Sequence, residues 1–259
     1  MRVGIIGATG WLGSALGAQL LAKGIVAPRD LVALNRSGPR DYHGHAVTWA
    51  PDLPALVAAS DVIVVSVRPG DWPGLSLQAP GRLVVSFMAG VGSERLAACG
   101  GRVVRAMPNA AAEIGASYSP FWAAPGVTDT DRATVRRLLA AIGDTDELSA
   151  EVQIDLMTAL PGSGAAYPAL MAMAMVDFMR AQGVDENIAW RATEAAVCGG
   201  ARMLDGQIAR APELLAAYLD YRGTTAAGIQ AAQAAGFLSA IAAALAAAAE
   251  AARRMAADD

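Results

Sequence analysis

Cysteine and histidine are scarce, with two of each in 259 residues. Cys99 and Cys198 lie far apart in sequence and suggest neither a disulfide framework nor a metal-ligand cluster; both are expected to be small core hydrophobes. His43 and His45 sit in a loop rich in Gly, Pro and Tyr with no third ligand nearby, so they are read as solvated and no metal is expected. Aromatic residues make up only 5% of the chain. Hydrophobic residues reach 54%, yet no apolar run attains the ~18 residues that span a bilayer, and no membrane partner is expected. A basic excess is also missing: the net charge of −4 argues against nucleic acid. The first strand signal begins almost at Met1 and leaves no room for a secretory signal, which predicts a cytoplasmic protein.

What is present starts with Val3-Gly4-Ile5-Ile6-Gly7-Ala8-Thr9-Gly10-Trp11-Leu12-Gly13. A short apolar run stops at a glycine cluster, and Leu12, Ala15, Leu16 and Leu20 then recur at helical spacing. This is strand, tight turn, helix. Such a turn lets backbone N–H groups at a helix N-terminus approach a pyrophosphate, so Gly7, Thr9, Gly10, Trp11 and Leu12 are candidate cofactor-binding residues. The spacing is Gly-x-x-Gly-x-x-Gly, a variant of the better-known Gly-x-Gly-x-x-Gly, and a ligand-free tight turn is the competing reading.

Further strands are predicted at 31–34, 62–67, 83–87, 103–107, 117–123 and 144–148, with helices at 53–59, 93–98 and 129–142 between them. Strands alternating with helices predict an α/β fold, a Rossmann-type doubly wound parallel sheet, over residues 1–150. From Glu151 no strand signal follows. Helical patterns run over 151–181, 185–205, 211–219 and 225–256, broken at Gly162-Ser163-Gly164, Gly183 and Arg222-Gly223, and predict an all-helical second domain over 151–259. Charges are sparse there: Ala165 to Met179 holds only Asp177, and Ala226 to Ala249 holds none. A small helical domain buries only one face of each helix, so apolar residues on several faces point to a homodimer or higher homo-oligomer, against the alternative of a well-packed monomeric core.

A dinucleotide site that prefers NAD usually carries an acid at the end of the second strand. Here that place holds Asn35, Arg36 and Ser37. A guanidinium suits a 2′-phosphate, which a carboxylate would repel, so NADPH is expected over NADH; a plain surface arginine is the alternative. Arg68 follows the 62–67 strand at the carboxyl edge of the sheet, where ligands bind in open α/β folds, and either serves the cofactor or is solvated.

Taken in order, several segments resemble the pyrroline-5-carboxylate reductase family. They are the glycine turn, Asn35-Arg36-Ser37, Val65-Ser66-Val67-Arg68-Pro69, Val84 to Val91, Arg105-Ala106-Met107-Pro108-Asn109, Gly162-Ser163-Gly164-Ala165-Ala166-Tyr167 and Gly223-Thr224-Thr225-Ala226-Ala227-Gly228. The family reduces the cyclic imine 1-pyrroline-5-carboxylate to proline with NAD(P)H, through an intertwined helical dimer. The resemblance implies that Val67, Arg68 and Pro69 line the cofactor and that Ala89 and Asn109 lie near the nicotinamide. It implies that Gly223 and Thr224 bind the substrate carboxylate at a helix N-terminus, and that Thr225 hydrogen-bonds the imine nitrogen as the catalytic residue. A helix cap is the structural alternative for both threonines.

The chain departs from the family pattern where Asp220-Tyr221-Arg222 replaces Ser-Pro-Gly before Gly223, in a loop one residue shorter, and where Leu160-Pro161 and Ala165 flank Gly162-Ser163-Gly164. Arg222 is a candidate substrate-binding residue that would suit a larger or more acidic substrate. Related imine or ketone reduction, or nucleotide binding without turnover, therefore stand as alternatives. Hydroxyacid-dehydrogenase-like chemistry usually needs a lysine in the second domain, and residues 151–259 contain none. Short-chain-dehydrogenase chemistry needs a Tyr-x-x-x-Lys that is also lacking.

Overall fold

The structure, a computed structural model, describes residues 1–257. The chain divides into two units, one holding residues 1–163 with the segment from Ala246 on, the other Gly164–Leu245.

The first unit contains strands β1 (Val3–Ile6), β2 (Leu31–Leu34), β3 (Thr48–Trp49), β4 (Val62–Val65), β5 (Leu83–Ser86), β6 (Arg102–Ala106), β7 (Ser117–Tyr118), β8 (Phe121–Ala123) and β9 (Gly143–Asp144). Its helices are α1 (Trp11–Ala22), α2 (Leu53–Ala59), α3 (Trp72–Leu75), α4 (Ser93–Ala97), α5 (Asp129–Leu139) and α6 (Gln153–Ala159). The main sheet runs β3-β2-β1-β4-β5-β6-β8, parallel except for β8. This is the doubly wound order, with the direction of winding reversing at β1 and β4. The apolar runs have a direct cause: Val62 and Val64 pack into one core layer with Leu16, Leu20 and Leu138, while Ile63 and Val65 pack into the other with Leu56, Trp72 and Leu96. A strand buried on both faces reads as a near-continuous apolar run.

The strand predicted over 117–123 is two strands. Ser117–Tyr118 pairs in parallel with β9, and Phe121–Ala123 pairs antiparallel with β6. Pro120 lies between them and has no N–H for a ladder; its carbonyl instead accepts from the Met107 amide at 2.9 Å. The strand expected at 144–148 is confined to Gly143–Asp144, followed by an isolated bridge between Glu147 and Phe121.

The second unit holds α7 (Ala166–Ala181), α8 (Glu186–Glu194), α9 (Gly200–Arg202), α10 (Ala211–Tyr221), α11 (Thr224–Ala234) and the start of α12 (Phe237–Ala257). The single helix expected over 225–256 breaks at Gly236, whose φ of +86° suits glycine, and bends there by 50°. Few side chains of this unit are buried, Val176, Ala189 and Ala226 among them, while Leu170, Phe178, Ile208 and Leu238 are exposed. An open apolar groove of about 590 Å³ lies between Met171, Met175, Phe178, Ala196 and Phe237. Cys99 is buried, but Cys198 is exposed, contrary to the core placement expected of it. It sits in a π-turn over Ala195–Gly199 with no buried residue, on a unit whose apolar faces are largely open within one chain. Among the described residues no single helix is long and apolar enough to cross a membrane; only the bent α11–α12 pair meets that length and composition.

Candidate functional site

β1 ends at Ile6, paired with Leu34 on one side and Val65 on the other, so the chain turns between the ends of β2 and β4. Gly7 makes that turn at φ +80°. Its amide and that of Ala8 donate to the Leu34 carbonyl at 2.9 and 3.2 Å. A Cβ at Gly7 would collide with the Ser66 carbonyl oxygen, and one at Gly13 with the Gly7 carbonyl oxygen. Both glycines are therefore required by close backbone packing. Helix α1 then begins at Trp11, with Gly10 as an extended N-cap and no side-chain cap, which leaves its first amides available to an anion.

In front of this turn lies a cavity of about 770 Å³, within the range that holds cofactors. Gly7, Thr9, Gly10, Asn35, Arg36, Val67 and Arg68 from the predicted set line it. Pro69 opens the short turn Pro69–Asp71 on the same wall. The Ser37 hydroxyl accepts from Asn35 Nδ2 at 2.7 Å and from the Arg40 guanidinium. Trp11 and Leu12 form the first turn of α1, Trp11 exposed and Leu12 against the core. Sequence reading missed Asp52, Ser66 and Asp71, which also line the cavity. Asp52 Oδ1 caps α2 through the Ala55 amide at 2.8 Å, and Arg36 Nη1 lies 3.8 Å from Asp71 Oδ1. An acid before a short helix and one after Pro-Gly were the available signals.

Ala89 follows β5 and Asn109 follows β6, so both stand at the carboxyl edge of the sheet. Asn109 is held from three sides: its amide donates to Ser117 Oγ at 3.1 Å, its Oδ1 accepts from Ala111, and its Nδ2 donates to the Pro161 carbonyl at 2.8 Å. Nearby in sequence, Arg105 is buried; its Nη1 meets Glu151 Oε1 at 2.8 Å and its Nη2 lies 3.6 Å from Asp155 Oδ1. Burial pushes the Glu151 carboxyl up, but hydrogen bonds from the Ser93 hydroxyl and amide and from Arg105 outweigh it and hold the group below the usual carboxylate range.

In the second unit α10 ends at Tyr221 and is capped by Arg222, whose φ of +55° and ψ of +27° are left-handed. Gly223 then serves as the N-cap of α11, and Thr224 and Thr225 are its first two residues. No side chain caps this helix, so the threonines are not the caps that the structural alternative requires. His43, expected to be solvated, is exposed but bonded to Ser14 Oγ through Nε2 at 2.9 Å.

Two family models match: pyrroline-5-carboxylate reductase dimerisation over residues 151–255, and NADP oxidoreductase, coenzyme F420-dependent, over residues 2–90. The pyrroline-5-carboxylate reductase of Pseudomonas aeruginosa is 32% identical over 91% of this chain and 90% of its own length. The solved pyrroline-5-carboxylate reductase of Coxiella burnetii superposes with a TM-score of 0.85 at 25% identity, covering 98% of each chain. The Plasmodium falciparum pyrroline carboxylate reductase, solved with NADP bound, superposes at the same TM-score with 22% identity over 99% of this chain and 98% of its own. With full-length similarity on both halves and an uncapped glycine turn facing a cofactor-sized cavity, the chain belongs to the pyrroline-5-carboxylate reductase family.

Proposed function

We infer that this protein is an NADPH-dependent oxidoreductase acting on C=N, reducing 1-pyrroline-5-carboxylate to proline. The observation that carries the reading is the cavity in which the glycine turn, Asn35, Arg36 and Arg68 come together, in a chain similar over 91% of its length to a reductase of that name. The cavity fits a dinucleotide. Its volume suits one, its floor is a helix start with free amides, and the cation at the end of β2 suits a phosphate better than a ribose hydroxyl.

When bound, NADPH supplies the hydride for the imine carbon. Gly7, Thr9, Gly10, Trp11 and Leu12 would hold its pyrophosphate, and Asn35, Arg36 and Ser37 its 2′-phosphate. Val67, Arg68 and Pro69 form the opposite wall, and Ala89 and Asn109 serve the nicotinamide end. Gly223 and Thr224, with Arg222 beside them, would bind the substrate carboxylate at the positive end of α11, where no side chain competes for the amides. Thr225 would hold the imine nitrogen by a hydrogen bond. A protonated imine is already electrophilic, so positioning supplies much of the rate and no strong acid–base pair is needed.

The domain division we adopt is 1–150 for the dinucleotide and 151–259 for substrate and dimerisation; the family match that begins at 151 supports it. That match and the exposed apolar faces of α7 and α12 support a homodimer or larger homo-oligomer. A cytoplasmic location and a role in proline biosynthesis follow from this reading, with no nucleic-acid or membrane partner. Arg222, standing in place of the family's glycine, favours a second reading, a relative that reduces another imine.

The test is NADPH oxidation with 1-pyrroline-5-carboxylate, run beside 1-pyrroline-2-carboxylate and a ketoacid. Rapid turnover of the first is expected. Turnover of 1-pyrroline-2-carboxylate alone selects the second reading, and turnover of the ketoacid alone overturns both in favour of ketone reduction.

A further inference from the structure

The cavity in front of the glycine turn carries its own anion, set against its own cation. Arg36, at the end of β2, has a side chain 92% exposed, and its Nη1 lies 3.8 Å from Asp71 Oδ1 on the wall built after β4. The two partners are anchored differently. Asp71 closes the turn Pro69–Asp71, its amide donates to the Arg68 carbonyl at 2.9 Å, and the next residue, Trp72, is buried in the core. Its backbone is therefore anchored, whereas Arg36 is a long cation on a solvent-exposed stem. The other acid lining the cavity, Asp52, accepts from the Ala55 amide at the start of α2. Asp71 instead directs its carboxylate at the guanidinium.

Resting on the reading that Arg36 meets a 2′-phosphate, we propose that Asp71 is a specificity-determining residue that opposes NADP(H). In the free protein its carboxylate lies 3.8 Å from the guanidinium that the phosphate needs, and partly offsets its charge. After binding, its charge remains on the same cavity wall and repels a group carrying about two negative charges at neutral pH. NAD(H) presents a neutral hydroxyl at that place and meets neither effect. Asp71 thus lowers affinity for the phosphorylated cofactor and narrows the preference that Arg36 creates.

Calorimetric titration of the full-length protein with NADP⁺ and with NAD⁺ tests this on Asp71→Asn, a near-isosteric change at a half-exposed side chain. NADP⁺ should bind about three- to fivefold tighter, the range expected when one exposed charge pair is removed, and NAD⁺ should stay within about twofold. The gain should shrink at high salt, and in an Arg36→Ala background it should shrink to the part that comes from direct repulsion of the phosphate. Unchanged or weaker NADP⁺ binding, or equal tightening of both nucleotides, overturns the role of Asp71. Arg36→Ala separates the two layers: equal weakening of both nucleotides overturns the Arg36 reading and this one with it. Selective weakening of NADP⁺ beside a silent Asp71→Asn overturns the role of Asp71 alone.

Discussion

Arg105 on β6 is bound to Glu151 at 2.8 Å through a side chain only 5% exposed, and Glu151 in turn accepts both the amide and the hydroxyl of Ser93. One carboxylate thereby ties the sheet edge to the start of α4 and to the approach of α6. Asp155 adds a second negative charge 3.6 Å from the same guanidinium. Replacing Arg105 with Met would leave two carboxylates without their cation, and removing one partner of a buried ion pair typically costs about 3–5 kcal/mol. Urea unfolding should show a loss of that order for Arg105→Met and a smaller one for Glu151→Gln, which leaves Arg105 with Asp155.

Acid should weaken the fold through the same kind of contact. Arg102 forks onto Asp131 at 2.6 and 2.9 Å, and Asp131 also completes a capping box with Thr128. Those bonds outweigh burial and hold the Asp131 carboxyl well below the usual carboxylate range; Glu151 is lowered too. Carboxyls lowered on folding stabilise the protein fully above their unfolded pKa, about 4, and lose that contribution as pH falls toward the folded value. Thermal unfolding across pH should be flat in this contribution above about pH 5 and should drop below about pH 4. In Asp131→Asn the drop should be shallower, from a lower starting stability.

Gly7→Ala and Gly24→Ala make a matched pair. Both positions have positive φ, but a Cβ at Gly24 meets nothing within 4 Å, whereas one at Gly7 strikes the Ser66 carbonyl. Gly24→Ala should cost about 1 kcal/mol from backbone strain alone. Gly7→Ala should cost more and should also abolish nucleotide binding, as read by unfolding curves and NADP⁺ titration.

Arg222 carries a left-handed conformation that glycine adopts freely. Arg222→Gly should therefore raise stability by about 0.5–1 kcal/mol. If Arg222 also contacts substrate, the KM for 1-pyrroline-5-carboxylate should change while the affinity for NADP⁺ does not.

Thr225→Val should lower turnover by a factor matching the loss of one hydrogen bond, about 1–2 kcal/mol, with little change in NADPH affinity. Unchanged kinetics would reduce Thr225 to a structural member of α11.

Strands β1, β4 and β5 were legible because burial on both faces forces unbroken apolar runs. The 117–123 segment was not, because Pro120 divides it between two sheets and only the pairing partners reveal that. The Gly236 break is hidden inside an alanine-rich run whose helical propensity is high on both sides. Within the cavity, the glycine turn and Arg36 carried a spacing signature, but Asp71 reaches Arg36 only through the adjacency of β1 with β2 and β4. The exposure of Cys198 was not legible either, since it depends on how a whole helical unit packs.

Side chains close four helix starts: Asp52 at α2, Thr128 at α5, Asp185 at α8, and Glu151 at α4, which also opens at a glycine; α6, α7 and α10 have no side-chain cap. At α1 and α11 the chain supplies only Gly10 and Gly223. On the proposed reading, these two starts are the ones where an anion binds. A bound phosphate or carboxylate is then their missing terminal residue, so occupancy and local folding become one equilibrium. Hydrogen exchange at Trp11, Leu12, Thr224 and Thr225 should report that equilibrium directly, slowing as each ligand binds.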